Sequence, residues 1–86
     1  MGSLVPFMDQ QYTAKQGQYL VFLYYYTKIN GCAPAESDMQ RYFRVSPPSV
    51  HEMIKTLERR RFIERVPGVG RSIRLLLTRE QLPDLE

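Results

Sequence analysis

At 86 residues, 43% of them hydrophobic, the chain is sized for one compact domain with one core and is too short to add a separate catalytic domain of ordinary size. No apolar run reaches the roughly 18–20 residues that cross a bilayer, residues 1–6 lack the charged start and long apolar stretch of a secretion signal, and Cys32, the lone cysteine, permits no internal disulfide and fits a reducing, cytoplasmic setting. The net charge of +3 is unevenly spread: residues 41–79 hold ten Lys/Arg against three acids and the remainder two bases against six, which suits a polyanionic partner or, equally, a solvated arginine-rich surface.

In chain order, residues 1–11 read as a loosely held arm in which Val5, Phe7 and Met8 are available for docking; Met1-Gly2-Ser3 is given no function. Thr13-Ala14-Lys15-Gln16 has the form of a capping box, the threonine hydroxyl serving the backbone ahead and the glutamine reaching back. It opens a helix that runs to about Asn30, where Gly31 supplies the stop, with Tyr19, Leu20, Phe22, Leu23 and Tyr26 as its apolar stripe. Cys32-Ala33-Pro34 is an extended link to a second helix over residues 36–43, which buries Met39 and Phe43 and for which Ala35 is a poor cap.

Ser46-Pro47-Pro48 is a stronger helix start, since serine caps and a proline in the first turn gives up only an amide that has no intrahelical partner. The third helix runs to about Arg60, with Val50, Met53, Ile54 and Leu57 on one side. Pro48, Glu52, Lys55 and Arg59 lie on the other, flanked by Ser49 and His51. Residues 62–66 and 72–77 then read as two strands around Pro67-Gly68-Val69-Gly70, a hairpin with Arg71 at its tip. Residues 79–86 read as an acidic tail. The expectation is an α+β, mostly α fold over residues 12–78: a winged helix-turn-helix of three helices plus a C-terminal β-hairpin wing.

Helix, helix, helix, hairpin together with the basic surplus points to double-stranded DNA, with the third helix in a major groove about 12 Å wide. In the turn Val45-Ser46-x-x-Ser49-Val50, the first valine plugs the corner, Ser46 caps, and Val50 anchors the helix to the core. Arg71 is the leading cation, aimed at a phosphate or a narrow minor groove, with Ser72 beside it and Arg44 and Arg74 as secondary candidates. Lys55 and Arg59 fall where phosphate contacts set register without reading sequence. Pro48 stands on the same face. Two readings stay open for several residues: Ser46 and Ser49 as caps alone or as DNA contacts too, His51 as a solvated histidine or a contact, Glu52 as an acceptor for a cytosine amine or a counter-charge. Arg60 and Arg65 read as plain surface.

The stretch from Thr13 to Leu77 resembles the N-terminal DNA-binding domain of LexA-type repressors. The resemblance is carried by Thr13-Ala14-Lys15-Gln16, Gly31-Cys32-Ala33-Pro34 and Ser46-Pro47-Pro48-Ser49-Val50-His51. It continues through Leu57-Glu58-Arg59-Arg60-Arg61-Phe62-Ile63-Glu64 and the wing Gly70-Arg71-Ser72-Ile73-Arg74-Leu75-Leu76. It implies a transcription regulator, a repressor by analogy. The family's self-cleaving domain, with its Ser-Lys dyad and dimer interface, has no room in this length, so the expectation is a stand-alone regulator without autocleavage. The corner before Ser46 is one residue shorter and lacks its glycine, Arg61 stands where the family commonly places a helix-terminating glycine, and Pro48 replaces a polar reader.

The first helix carries a separate signal. Val21, Tyr24 and Tyr25, with Lys28, fall on the side away from its stripe, where the family usually has charge. An exposed patch of this kind is a partner surface, here assigned to a homodimer; the alternative is a rotated helix with two of these residues in the core. The rival function is a winged-helix protein–protein interaction module working through that tyrosine patch, and a further one is the targeting domain of a transposase or split repressor. No enzyme is expected: one His, one Cys, no nucleophile with a supporting base, and only Gly68-Val69-Gly70 in place of a phosphate loop. Cys32 and His51 do not make a metal site, and no cofactor or small-molecule ligand is expected.

Overall fold

The computed structural model describes residues 12–86; the arm expected over residues 1–11, with Val5, Phe7 and Met8, lies outside them. Among the described residues, three helices, α1 (Ala14–Asn30), α2 (Glu36–Phe43) and α3 (Pro47–Arg59), are followed by strands β1 (Ile63–Glu64) and β2 (Arg74–Leu75) and a 3-10 turn (Arg79–Gln81). The strands are antiparallel, Ile63 opposite Leu75 and Glu64 opposite Arg74. This is the mostly helical winged helix-turn-helix that the residue pattern predicts.

Local chemistry sets the helix ends. At α1 the Gln16 amide donates to Thr13 Oγ1 at 3.0 Å and the Thr13 amide donates to Gln16 Oε1 at 2.9 Å, a reciprocal capping box. Gly31, at φ 76°, ends that helix with its N–H on the Thr27 carbonyl, a left-handed position that suits glycine. At α3 the Ser46 hydroxyl accepts from the Ser49 amide at 3.3 Å. The helix closes through Phe62 N–H to Leu57 O and Arg61 N–H to Glu58 O, both 3.0 Å, with Arg61 at φ 64°. That pair of bonds requires a left-handed residue, and arginine there costs about 1 kcal/mol relative to glycine. Arg44, at φ 56°, ends α2 in the same conformation, so the corner missing its glycine is turned by an arginine.

The wing is shorter than the strands expected over 62–66 and 72–77. Val66-Pro67-Gly68-Val69 forms a turn, Val69 N–H to Val66 O at 3.1 Å, with Gly68 at φ 77°. The Ser72 hydroxyl then replaces ladder bonds: it accepts from the Val66 amide at 3.0 Å and donates to the Val69 carbonyl at 2.8 Å. A side chain that satisfies the turn backbone leaves fewer groups free to pair as strands.

The core joins Tyr19, Leu20, Val21, Phe22 and Leu23 of α1 to Met39, Val50, Ile54, Leu57, Phe62, Ile63 and Leu82. Phe43 stacks on Tyr19 with ring centroids 4.1 Å apart. The exposed Val21/Tyr24/Tyr25 face is corrected here: Val21 has 0% exposure, Tyr24 and Tyr25 are half-buried, and only Lys28 is exposed as expected. The cause is the segment of residues 79–86, the acidic tail, which packs against α1. Leu82 enters the core, Pro83 Cγ and the Tyr12 ring close over Gly17 so tightly that a Cβ there would lie 3.0 and 2.9 Å from them, and the Arg79 guanidinium sits 6.0 and 5.7 Å from the Tyr24 and Tyr25 ring centres. Tyr12 Oη donates to the Gln81 carbonyl, Gln18 Nε2 donates to the Asp84 carbonyl at 3.0 Å, and the Glu86 amide donates to Gln18 Oε1 at 2.8 Å. With helices and wing on one side and this strap on the other, α1 is wrapped almost all round.

A polar node holds the wing against the helices. Asp38 Oδ2 accepts from the Ala35 amide at 2.8 Å, which makes up for the poor cap, from Arg71 Nη1 at 3.1 Å and from Tyr26 Oη at 3.2 Å, while Oδ1 accepts from Arg41 at 2.7 Å. Arg71 Nη1 also donates to Tyr26 Oη at 3.1 Å and to the Ala33 carbonyl at 3.3 Å. The Ala35 N–H first, then Arg71, Tyr26 and Arg41, hold the Asp38 carboxyl below the ordinary carboxylate range, against the opposing effect of its burial.

Two outcomes follow. Asp38→Ala lowers unfolding free energy by about 2 kcal/mol at pH 7, since it strands the Ala35 amide and the Arg71 guanidinium. Because the folded carboxyl titrates below its unfolded value, the native contribution is complete above about pH 4 and is lost as pH falls through the depressed folded value, so urea midpoints of the two proteins converge on acidification. Leu82→Ala costs about 2–3 kcal/mol by the same measurement, whereas an unseated tail predicts no change.

Candidate nucleic-acid interface

Burying Val50, Ile54 and Leu57 turns the other side of α3 outward, and Pro48, Ser49, His51, Glu52, Lys55 and Arg59 are all exposed along it. Ser46 lies at its head, also exposed, its hydroxyl accepting the Ser49 amide and donating to Ser49 Oγ at 3.0 Å. Their capping role is therefore in place, with both side chains still at the surface. Val45 packs partly buried beneath the corner.

The charges on this face are thinned by neighbours. Lys55 Nζ is 3.6 Å from Glu52, so Glu52 is placed as a counter-charge while both remain exposed. His51 Nδ1 is 3.5 Å from Glu36 of α2. Arg59 donates to Thr56 Oγ1 at 3.2 Å and has no carboxylate partner among the described residues. Arg65 is no idle surface residue: it pairs with Glu58 at 3.0 Å and reaches Glu36 at 3.9 Å, linking wing, α2 and α3.

The wing departs most from expectation. Its tip is Val66-Pro67-Gly68-Val69-Gly70, exposed and without charge. Arg71, expected at the tip, instead points inward to Asp38, Tyr26 and Ala33. The reason is electrostatic: a guanidinium offered a shielded carboxylate whose side chain is only 10% exposed gains more there than in open solvent. Ser72 likewise serves the turn rather than the solvent. Arg74 pairs across the sheet with Glu64 and stays largely exposed. Arg44 is exposed at the α2–α3 corner.

Periodicity on its own does not disclose the Asp38–Arg71–Tyr26 node, whose members are far apart in sequence; the polar residue at the third position of α2, opposite a poor cap, is the one local hint. Arg41, 74% exposed beside the node, was also outside the predicted set. Among the described residues no cluster of His, Cys, Asp or Glu is arranged to hold a metal ion, and no helix is long and apolar enough to cross a membrane.

The family profile described as LexA DNA binding domain matches residues 9–72, a span that contains all three helices and β1. The chain is 33% identical over 70 residues to the LexA repressor of Thermosipho melanesiensis, covering 81% of this chain and 35% of that protein. It is 34% identical over 68 residues to the LexA repressor of Petrotoga mobilis, covering 78% of this chain and 33% of that one. With the LexA repressor of Zymomonas mobilis it shares 28% over 75 residues, covering 86% and 35%. The chain thus spans about a third of the length of the curated relatives it matches. By the profile match over most of its length, the chain belongs to the LexA DNA-binding domain family.

Proposed function

We propose that this chain is a sequence-specific duplex-DNA-binding transcription regulator that acts as a repressor by occupancy rather than by catalysis. α3 lies in the major groove with the wing along the adjacent backbone, and two copies share a palindromic site. The observation that carries the reading is the outward face of α3, where Ser46, Pro48, Ser49, His51, Glu52, Lys55 and Arg59 stand together on a helix anchored from behind by Val50, Ile54 and Leu57. The names of the relatives, all LexA repressors, support the direction of regulation. The contact module built on Val21, Tyr24 and Tyr25 loses its basis, because Val21 is not at the surface. Arg71 serves binding at second hand in this reading: it fixes where the wing stands.

Fluorescence anisotropy with random and library-selected duplexes is the test. Lys55→Ala and Arg59→Ala are expected to weaken all duplexes alike, each reducing the log–log salt slope by about one. Ser49→Ala and His51→Ala are expected to reorder preference among duplexes, with little change in that slope. Absence of any binding below about 100 µM at low salt, the weak end of non-specific association, sinks the reading. A selected site without two-fold symmetry removes the paired arrangement and leaves the rest standing.

A further inference from the structure

Five of the chain's nine arginines are paired with carboxylates of the chain itself. Arg41 and Arg71 are on Asp38, Arg65 is on Glu58 and Glu36, Arg74 is on Glu64 and Arg79 is on Asp84. Two others stand apart. The guanidinium groups of Arg44 and Arg61 form no hydrogen bond or ion pair with any described residue, and both residues are exposed. Arg61 shares a shallow surface groove with Glu58 and Glu64, yet each of those carboxylates is already engaged by a different arginine.

The same two residues have left-handed backbones, φ 56° at Arg44 and φ 64° at Arg61. Glycine or asparagine would hold that conformation with less strain. The third left-handed arginine, Arg71, has a visible use in the node with Asp38. For Arg44 and Arg61 the fold supplies no such use, and strain retained without an internal partner points outside the molecule.

Their position is the second argument. Arg44 lies two residues before Ser46, the cap of α3, and Arg61 lies two residues after Arg59, its last residue. A helix of 13 residues is about 20 Å long, longer than the major groove is wide at about 12 Å. Lying across the groove, such a helix brings its two ends over the phosphate rows that form the walls.

We propose that Arg44 and Arg61 clamp those two phosphate rows at opposite ends of α3. Arg61 is thereby a DNA-backbone contact not among the groove-facing residues named above. The assignment rests on the duplex-binding reading and adds to it a pair of sequence-independent contacts that set how deep and at what tilt α3 sits.

The test uses opposite signs. In the full chain, Arg61→Gly is expected to raise the midpoint of thermal unfolding by ~4–8 °C while weakening every duplex about five- to tenfold near 0.1 M salt and lowering the salt slope by about one. Arg61→Asn, which tolerates the left-handed backbone without the charge, is expected to weaken binding equally; Arg61→Lys is expected to restore both affinity and slope. Arg44→Gly is expected to behave like Arg61→Gly, and the double variant to lower the slope by about two. If the parent chain binds duplexes and the glycine and asparagine variants bind with the same affinity and slope, the clamp is wrong and the duplex-binding reading stands. If the parent chain binds no duplex, both fail together.

Discussion

The carboxylate of Asp38 is the constraint on which the arrangement of this small domain depends. Through it the start of α2, the far half of α1, the Cys32-Ala33-Pro34 link and the wing are held at one point. A domain of this size has too little apolar area to fix a two-residue-per-strand hairpin by burial alone. An ionic hydrogen-bond node around a carboxylate that is only 10% exposed adds to what packing supplies, and in it Arg71, 47% exposed, is held on Asp38. The wing is consequently a positioned element with an uncharged tip, and the cations free to meet a polyanion are concentrated around α3.

The second constraint is the burial of α1. A helix covered on one side by α2, α3 and the wing normally shows water its other side. Here the segment from Arg79 onward closes over it, with Leu82 in the core and Arg79 against the tyrosine rings. Gly17 is what permits this approach, since any larger side chain would meet Tyr12 and Pro83. The tyrosines that look like a surface for a partner are thus partly consumed by the chain's own C-terminal residues.

What the sequence disclosed and what it hid divide along physical lines. The bounds of α1 and the start of α3 were legible because the signals are local: a capping box at Thr13, a left-handed glycine at Gly31, a serine ahead of two prolines at Ser46. The left-handed Arg61 was legible from the family's glycine at that place. The outward face of α3 followed from a clear 3.6-residue period. The face of α1 did not, because Tyr19 to Tyr26 is an unbroken apolar run and such a run has no phase from which to read a direction. Arg71 was misplaced because its partner lies 33 residues away, a distance at which pattern carries no information. The seating of Leu82 was not legible, because one apolar residue in an acidic tail carries no period.

The strap over α1 has a topological consequence. Tyr12 bonds to Gln81 and Gln18 to Asp84 and Glu86, so the two described ends of the chain are fastened to each other across 69 and 68 residues. A domain with free ends loses structure from the outside inward, each terminus peeling at little cost before the core is touched. Here the described C-terminal residues are held to Tyr12 and Gln18, and lifting them off would uncover Leu82 and the back of α1 together. Among the described residues, Tyr12, Gln18 and the segment from Gln81 to Glu86 are thereby coupled to the core that Leu82 enters.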